Sequence, residues 1–264
     1  MESTEILGLF LSCIMGITLG LFGGGGSMLT VPILVYVFNI SPVLATAYSL
    51  FVVGSVALTG SIHKIKKGEV NLKIAAYFAL PSIVSVYLTR RLIIPAIPDE
   101  IVQIGSRVLH KDLALMLFFA LIMLLASFSM IRGRKDKEVK KKEVNWTLVI
   151  LDGLFVGVIT GLVGAGGGFL IVPALVLLVG LPIRQAIATS LLIISLKSLL
   201  GFIGDINAGL EIDWRFLAIF TAFAIGGMFI GFLFSKNVKA EALKKGFGWF
   251  VLAMAIGIIL IEIT

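Results

Sequence analysis

The 264-residue chain is 59% hydrophobic and 14% charged, with a mean hydropathy of +1.10. A water-soluble globule needs more polar surface than that, so lipid must solvate much of the exterior. The net charge of +7 does not mark a nucleic-acid binder, because the basic residues sit in short loops between apolar runs and no basic groove with interleaved aromatics is present. The single cysteine, Cys13, excludes an intrachain disulfide, a zinc cluster and an iron–sulfur cluster.

The first apolar run, 6–22, follows Met1-Glu2-Ser3-Thr4-Glu5, which has no basic residue and no small-residue cleavage site. It is expected to stay as a helix rather than be removed as a signal peptide. The next run, 28–40, has only 13 residues, too few to cross about 30 Å of hydrocarbon comfortably at about 1.5 Å per residue. It is predicted to fold back on its predecessor around Gly23-Gly24-Gly25-Gly26-Ser27. Runs 43–62, 71–94 and 112–131 read as membrane helices. The polar stretch 132–145 carries Arg132, Arg134, Lys135, Lys137, Lys140, Lys141 and Lys142 and reads as a cytoplasmic linker. After it come 147–163, a second short run 169–181, then 184–204, 214–234 and 246–262.

The two sets of five runs repeat one another at an interval of 141 residues. Gly16, Gly20, Gly23, Gly25, Gly26, Leu29, Val31 and Pro32 fall on Gly157, Gly161, Gly164, Gly166, Gly167, Leu170, Val172 and Pro173. Without a gap, Ala45, Ala47, Ser49, Leu50 and Gly60 then fall on Ala186, Ala188, Ser190, Leu191 and Gly201. If each run reverses direction, sixteen of the 22 basic residues share one side. Arg90, Arg91, Arg107, Lys111 and Arg215 take the other side, with Asp99, Glu100, Asp205, Glu211 and Asp213. The sixteen therefore mark the cytoplasm. Five crossings per copy is an odd number, so the second copy is expected to enter from the opposite face. The reading is an all-α polytopic membrane protein of about eight to ten membrane segments, built of two inverted five-segment repeats. Each repeat is a glycine-tipped hairpin plus three transmembrane helices. Residues 1–131 form the first repeat, 132–145 the linker and 146–264 the second, with both termini outside.

Glycines without a Cβ allow a tight turn and close approach of a ligand to the backbone, and a helix starting there offers free N–H groups and the positive end of its dipole. Two such breaks at matching places in a membrane protein point to a central site suited to an anion. The candidates are Gly23, Gly24, Gly25, Gly26 and Ser27 in the first copy and Gly164, Gly166, Gly167 and Gly168 in the second. The competing reading is close helix packing, the role expected for Gly16-x-x-x-Gly20, Gly157-x-x-x-Gly161 and Gly227-x-x-x-Gly231. Neither cluster follows a strand or carries the Lys-Ser/Thr of a phosphate loop, which argues against ATP. Lys197 lies deep in its run and must face water or a partner. It is expected either to attract the anion or to pair with Asp152 or a backbone carbonyl. Ser49 and Ser190 either donate to the ligand or bond their own helix. Asp152, His63 and His110 read as solvated.

The paired glycine-rich segments ending in Val31-Pro32 and Val172-Pro173, each followed by an Ala-x-Ala-x-Ser element, resemble the TauE/SafE family of sulfite exporters over essentially the whole chain. The resemblance implies a polytopic permease of the cytoplasmic membrane for sulfite, organosulfonates or related sulfur-containing or carboxylate anions. Transport is expected outward, with protons as the implied coupling ion. The family's second-copy Thr-Ser is met by Thr189-Ser190, whereas Tyr48 stands where the first copy would have Thr. The expectation is a secondary transporter in which one repeat rocks against the other about an anion held at the two tips. No cofactor or metal is expected, and a homodimer is one open state of assembly. A channel would show flux that never saturates. An intramembrane enzyme is disfavoured because Gly-x-Ser-x-Gly, His-Glu-x-x-His and paired carboxylates at membrane depth are all missing from the sequence.

Overall fold

The computed structural model describes residues 3–104, 107–132, 146–177, 179–234 and 240–263. The first copy opens with α1 (Ser3–Phe22). A short arm follows, made of a 3-10 turn (Gly25–Leu29), α2 (Thr30–Pro32) and a π turn (Ile33–Val37). Then come α3 (Pro42–Lys66) and α4 (Leu72–Leu88), the latter extended through a π turn (Thr89–Ile93) into α5 (Ile94–Ala96), and finally α6 (Lys111–Arg132). The second copy has α7 (Trp146–Val163), the short α8 (Gly168–Leu177), α9 (Ile183–Asn207), α10 (Trp214–Phe234) and α11 (Ala240–Ile263). Among the described residues, six helices are long and apolar enough to cross a membrane, and Ile6–Phe22, Gly26–Val37 and Gly248–Glu262 are shorter apolar helices. Their outer faces are oily: Leu80, Phe155 and Leu233 are each at least 63% exposed, a surface that only lipid satisfies. Most of the basic linker, from position 133 on, lies outside the described residues, as do Lys236 and Lys239.

Local chemistry at the ends of the elements recurs in the second copy, 142 residues on for the helix caps and 141 for the left-handed residues. Asn71 caps α4, its Oδ1 accepting from the Ile74 N–H at 3.1 Å, and Asp213 caps α10 by accepting from Phe216 at 3.0 Å. Left-handed backbone recurs in pairs: Gly23 with Gly164, Asn39 with Gly180, and Gly68 with Gly209. The last pair ends α3 and α9, where left-handed glycine is the usual helix stop. The prolines of the two short arms sit differently, Pro32 being the third residue of α2. α8 starts at Gly168, so Pro173 is inside it, and its missing N–H falls on the carbonyl four residues back.

Packing pairs the copies crosswise. α1 runs parallel to α10: a Cβ on Gly227 would meet the Cys13 carbonyl and one on Gly231 the Ile17 carbonyl, as Gly16 meets the Ala224 carbonyl and Gly20 the Met228 carbonyl. At the matching place α7 runs parallel to α4, with Gly157 against Ser82 and Ser85 and Gly161 against Thr89. These are the small-residue seams read from the glycine spacing, where missing side chains let backbones touch. The equivalent helices α3 and α9 meet each other and run antiparallel, since Leu50 lies against Gly201, Gly54 against Leu199 and Gly60 against Leu191. α6 packs on α11.

The chain is mostly helical, and the all-α expectation is corrected in one segment. Between the runs 71–94 and 112–131, Glu100–Ile104 (β1) and Arg107–His110 (β2) form an antiparallel ladder. Ile101, Val102, Ile104 and Val108 supply its β-branched content. A larger correction concerns Arg90 and Asp205, which the charge count placed with the loops of one side. Both are buried inside helices, 0% and 1% exposed, and face each other at 3.4 Å.

Candidate functional site

The two glycine segments turn sharply at left-handed residues, Gly23 (φ 70°) in one and Gly164, Gly166 and Gly167 (φ 72°, 62° and 68°) in the other. A side chain at these angles is strained, so the turns require glycine. The segments come together in the buried interior. A Cβ on Gly24 would stand on the Gly168 backbone and the reverse, and one on Gly166 would lie 3.5 Å from the Ser27 Cβ. Each tip is also gripped by the crossing helix of the other copy, Gly23 against Ile187 of α9 and Gly164 against Thr46 of α3. Positions 46 and 187 are equivalent. Gly25 opens the 3-10 turn and Gly26 rests on α1 beside Met15 and Thr18. Among the described residues, the N–H groups of Gly24, Ala165 and Gly166 donate to no backbone carbonyl. The tips are buried and in contact, so this arrangement is closed.

Lys197 stands beside the second tip. A Cβ on Gly167 would be 3.0 Å from its Nζ, which donates to Thr160 Oγ1 at 2.8 Å and is 0% exposed. Asp152, weighed from the sequence as its partner, is not: Asp152 Oδ2 has no hydrogen-bond partner. A single neutral hydroxyl leaves most of a buried ammonium's donor capacity unused.

The equivalent serines differ. Ser190 Oγ donates to the Gly23 carbonyl of the first tip, 2.8 Å away, with Ile187 O at the same distance. Ser49 Oγ is buried without a partner. Thr189 is engaged elsewhere, its Oγ1 accepting the Asn71 N–H at 3.0 Å. At the same place in the other copy, Tyr48 OH accepts the Asp213 N–H at 2.8 Å. Tyrosine at the position where threonine is expected therefore does the same work, tying the start of α10 as Thr189 ties the start of α4. No local sequence signal marks this, because each bond joins residues more than a hundred positions apart. His63 stacks on Phe232 at 5.5 Å, and His110 is exposed.

Two cavities open at opposite ends of the α3/α9 pair. One of about 320 Å³ is lined by Glu69, Pro182, Arg184 and Gln185, and one of about 260 Å³ by Phe38, Ile40, Leu44, Tyr48, Asp213 and Phe216. Each is built from the start of one crossing helix and the loop after the other, so the mouths match under the repeat. The first is electrically polar. Lys64 bonds Glu69 at 2.7 Å, and that bond holds the Glu69 carboxyl below the usual carboxylate range.

The family model described as sulfite exporter TauE/SafE matches residues 8–258. A "Probable membrane transporter protein" of Xylella fastidiosa is 31% identical over 255 residues, covering 93% of this chain and 91% of that one. Proteins given the same description match from Haemophilus influenzae (26% over 277 residues, 97% and 98% covered) and Methanocaldococcus jannaschii (28% over 203 residues, 75% and 71% covered). No solved structure matches significantly. The chain therefore belongs to the sulfite exporter TauE/SafE family of membrane proteins.

Proposed function

We propose that the chain is a secondary transporter of small anions such as sulfite or an organosulfonate, moving them outward across the cytoplasmic membrane by alternating access. The observation that carries this is the meeting of the two glycine tips, with bare amides at Gly24, Ala165 and Gly166 and the Lys197 ammonium against Gly167. Amides and a buried cation favour negative charge where water is scarce, and backbone free of helical pairing is tolerated at membrane depth where it serves a site. The anion enters when the tips part, from the Arg184 mouth or from the Tyr48 mouth. The antiparallel run of α3 and α9, which are equivalent helices, supports inverted repeats with the two mouths on opposite faces. The relatives' description as membrane transporters and the family's description as sulfite exporters agree with this reading. Protons are the coupling ion we favour.

The test is flux in liposomes containing the purified protein. Sulfite, sulfoacetate, thiosulfate and acetate are each loaded inside, with and without an imposed pH gradient. Saturable efflux of at least one, accelerated by the gradient, is the expected result. Absence of flux for all four removes the reading, and flux that rises without saturation replaces the carrier with a channel.

A further inference from the structure

We propose that Arg90 is a second anion-binding station, one side chain away from the second glycine tip, that grips two oxygens of a sulfonate, sulfite or carboxylate through one edge of its guanidinium. The proposal rests on the anion-transporter reading and adds a residue that the glycine and lysine pattern does not include.

Arg90 lies in the π turn of α4 and is fully buried. Its Nη1 donates to Thr46 Oγ1 at 3.0 Å and approaches Asp205 Oδ1 at 3.4 Å. Nε and Nη2 have no hydrogen-bond partner. Those two N–H groups share one edge of the planar guanidinium and point the same way, the fork that takes two oxygens of one acid group side by side. An ion pair built only to lock helices together would use that fork on its carboxylate. Here the carboxylate meets the guanidinium at one long contact on the other side, and Asp205 Oδ2 is unpartnered as well. Thr89 Oγ1, on the same turn, is a further buried hydroxyl with nothing to bond. A fully buried cation with two parallel donors left open is a receptor waiting for an acceptor. π turns within helices recur at functional sites.

The position suits a path. Thr46, which holds Nη1, is the residue that Gly164 packs against: a Cβ on Gly164 would come 2.6 Å from the Thr46 Cα and carbonyl oxygen. Asp205 lies on α9 eight residues beyond Lys197, about 12 Å at about 1.5 Å per residue, toward the end that carries the Tyr48 mouth. Lys197 and Arg90 therefore flank the second tip on two sides, one at Gly167 and one behind Thr46. The first tip has no counterpart, since position 232, which matches 90 in the register of the α4 and α10 caps, is phenylalanine, and position 64, matching 205, is lysine. An anion released from the tips meets Arg90 on one route only, and Asp205 supplies a competing negative charge that keeps the grip weak enough to release.

The test uses the full-length protein in detergent, titrated with methanesulfonate and with sulfite, with chloride as a spherical anion that cannot use the fork. Arg90→Lys keeps the charge and removes the parallel donors. It is expected to weaken methanesulfonate and sulfite binding at least about fivefold while chloride changes less than about twofold. Asp205→Asn keeps the shape and removes the competing charge, and is expected to tighten both oxyanions at least about threefold, a sign that a merely structural pair would not give. Smaller effects than these, or weaker binding by Asp205→Asn, overturn the Arg90 station. If Arg90→Lys does not fold, the Asp205→Asn result alone decides by the same criterion. Wild-type protein that binds neither oxyanion removes the transporter reading and this proposal together, whereas wild-type binding that Arg90→Lys leaves intact removes this proposal alone.

Discussion

Replacing Gly168 by alanine puts one methyl group where the two tips touch. Its Cβ would lie 2.7 Å from Ile194 Cδ1 and 2.8 Å from the Gly24 carbonyl carbon, and closer still to the Gly24 Cα. Carbon atoms pack best at about 3.5–4.0 Å, so the contact must open by roughly 1 Å, and on the Gly24 side there is only backbone to move. Overpacking of this kind costs typically about 1–3 kcal/mol. At about 1.4 kcal/mol per tenfold, the closed contact should weaken by a factor of roughly 5–150. The control is Gly226→Ala on α10, where a Cβ meets nothing within 4 Å and helix propensity improves by up to about 1 kcal/mol. With Cys13 replaced by Ser and a reporter cysteine at Ser27, thiol labelling in the Gly168→Ala protein should accelerate by that factor, and the Gly226→Ala protein should label at the parental rate. Equal labelling of both, with transport unchanged in both, would refute the argument that the tips must close on each other.

Further outcomes follow from the same geometry. Lys197→Met keeps the stem and removes the charge, so saturable sulfite binding should weaken at least about tenfold with insertion intact, because Thr160 can still donate to Gly157; unchanged affinity in a binding isotherm counts against Lys197. Thr189→Val and Tyr48→Phe each strand a backbone N–H and should each destabilise by about 1–3 kcal/mol without altering anion affinity; detergent melting curves check the first part and titrations the second, and a loss of affinity at equal stability would make Thr189 a ligand contact after all. Gly227→Val drives a side chain into the Cys13 backbone and should lower the unfolding midpoint by the equivalent of about 2 kcal/mol or more, whereas an unchanged midpoint would refute the α1/α10 seam. Because the Glu69 carboxyl is held below its usual range by Lys64, the pair's contribution is present at neutral pH and disappears as the pH falls below the ordinary 4.5 of a free glutamate. The residue is 38% exposed, so Glu69→Gln should cost under about 1 kcal/mol and remove that acid sensitivity; a cost that persists unchanged at low pH would contradict an ionic origin.

The long apolar runs were readable because hydropathy reports directly on lipid contact. The runs reappear as helices, the last starting at Ala240 rather than 246, except that 28–40 reappears as an arm of 3-10, α and π turns, and the glycine seams reappear as backbone contacts. The short arms were readable from length alone. Arg90 and Asp205 were not, because charge counting treats an arginine near the end of a run as a loop residue, and its partner is 115 positions away. Thr189 was drawn toward the tips by its neighbour Ser190, but successive residues on a helix point about 100° apart, so one reaches Gly23 while the other reaches Asn71. The β1/β2 hairpin escaped because nine residues of mixed polarity carry too weak a signal beside the helices that flank them.

The crosswise lending of helices has a mechanical result. α1 belongs by sequence to the first half but is welded along its glycines to α10, and α7 is welded in the same way to α4. Neither half of the polypeptide is thus a body that swings on its own: each strut contains one helix from either side of the linker. In the transport proposed above, any movement would have to leave these two struts intact, and severing the chain between 132 and 146 would separate two fragments that each carry half of both struts.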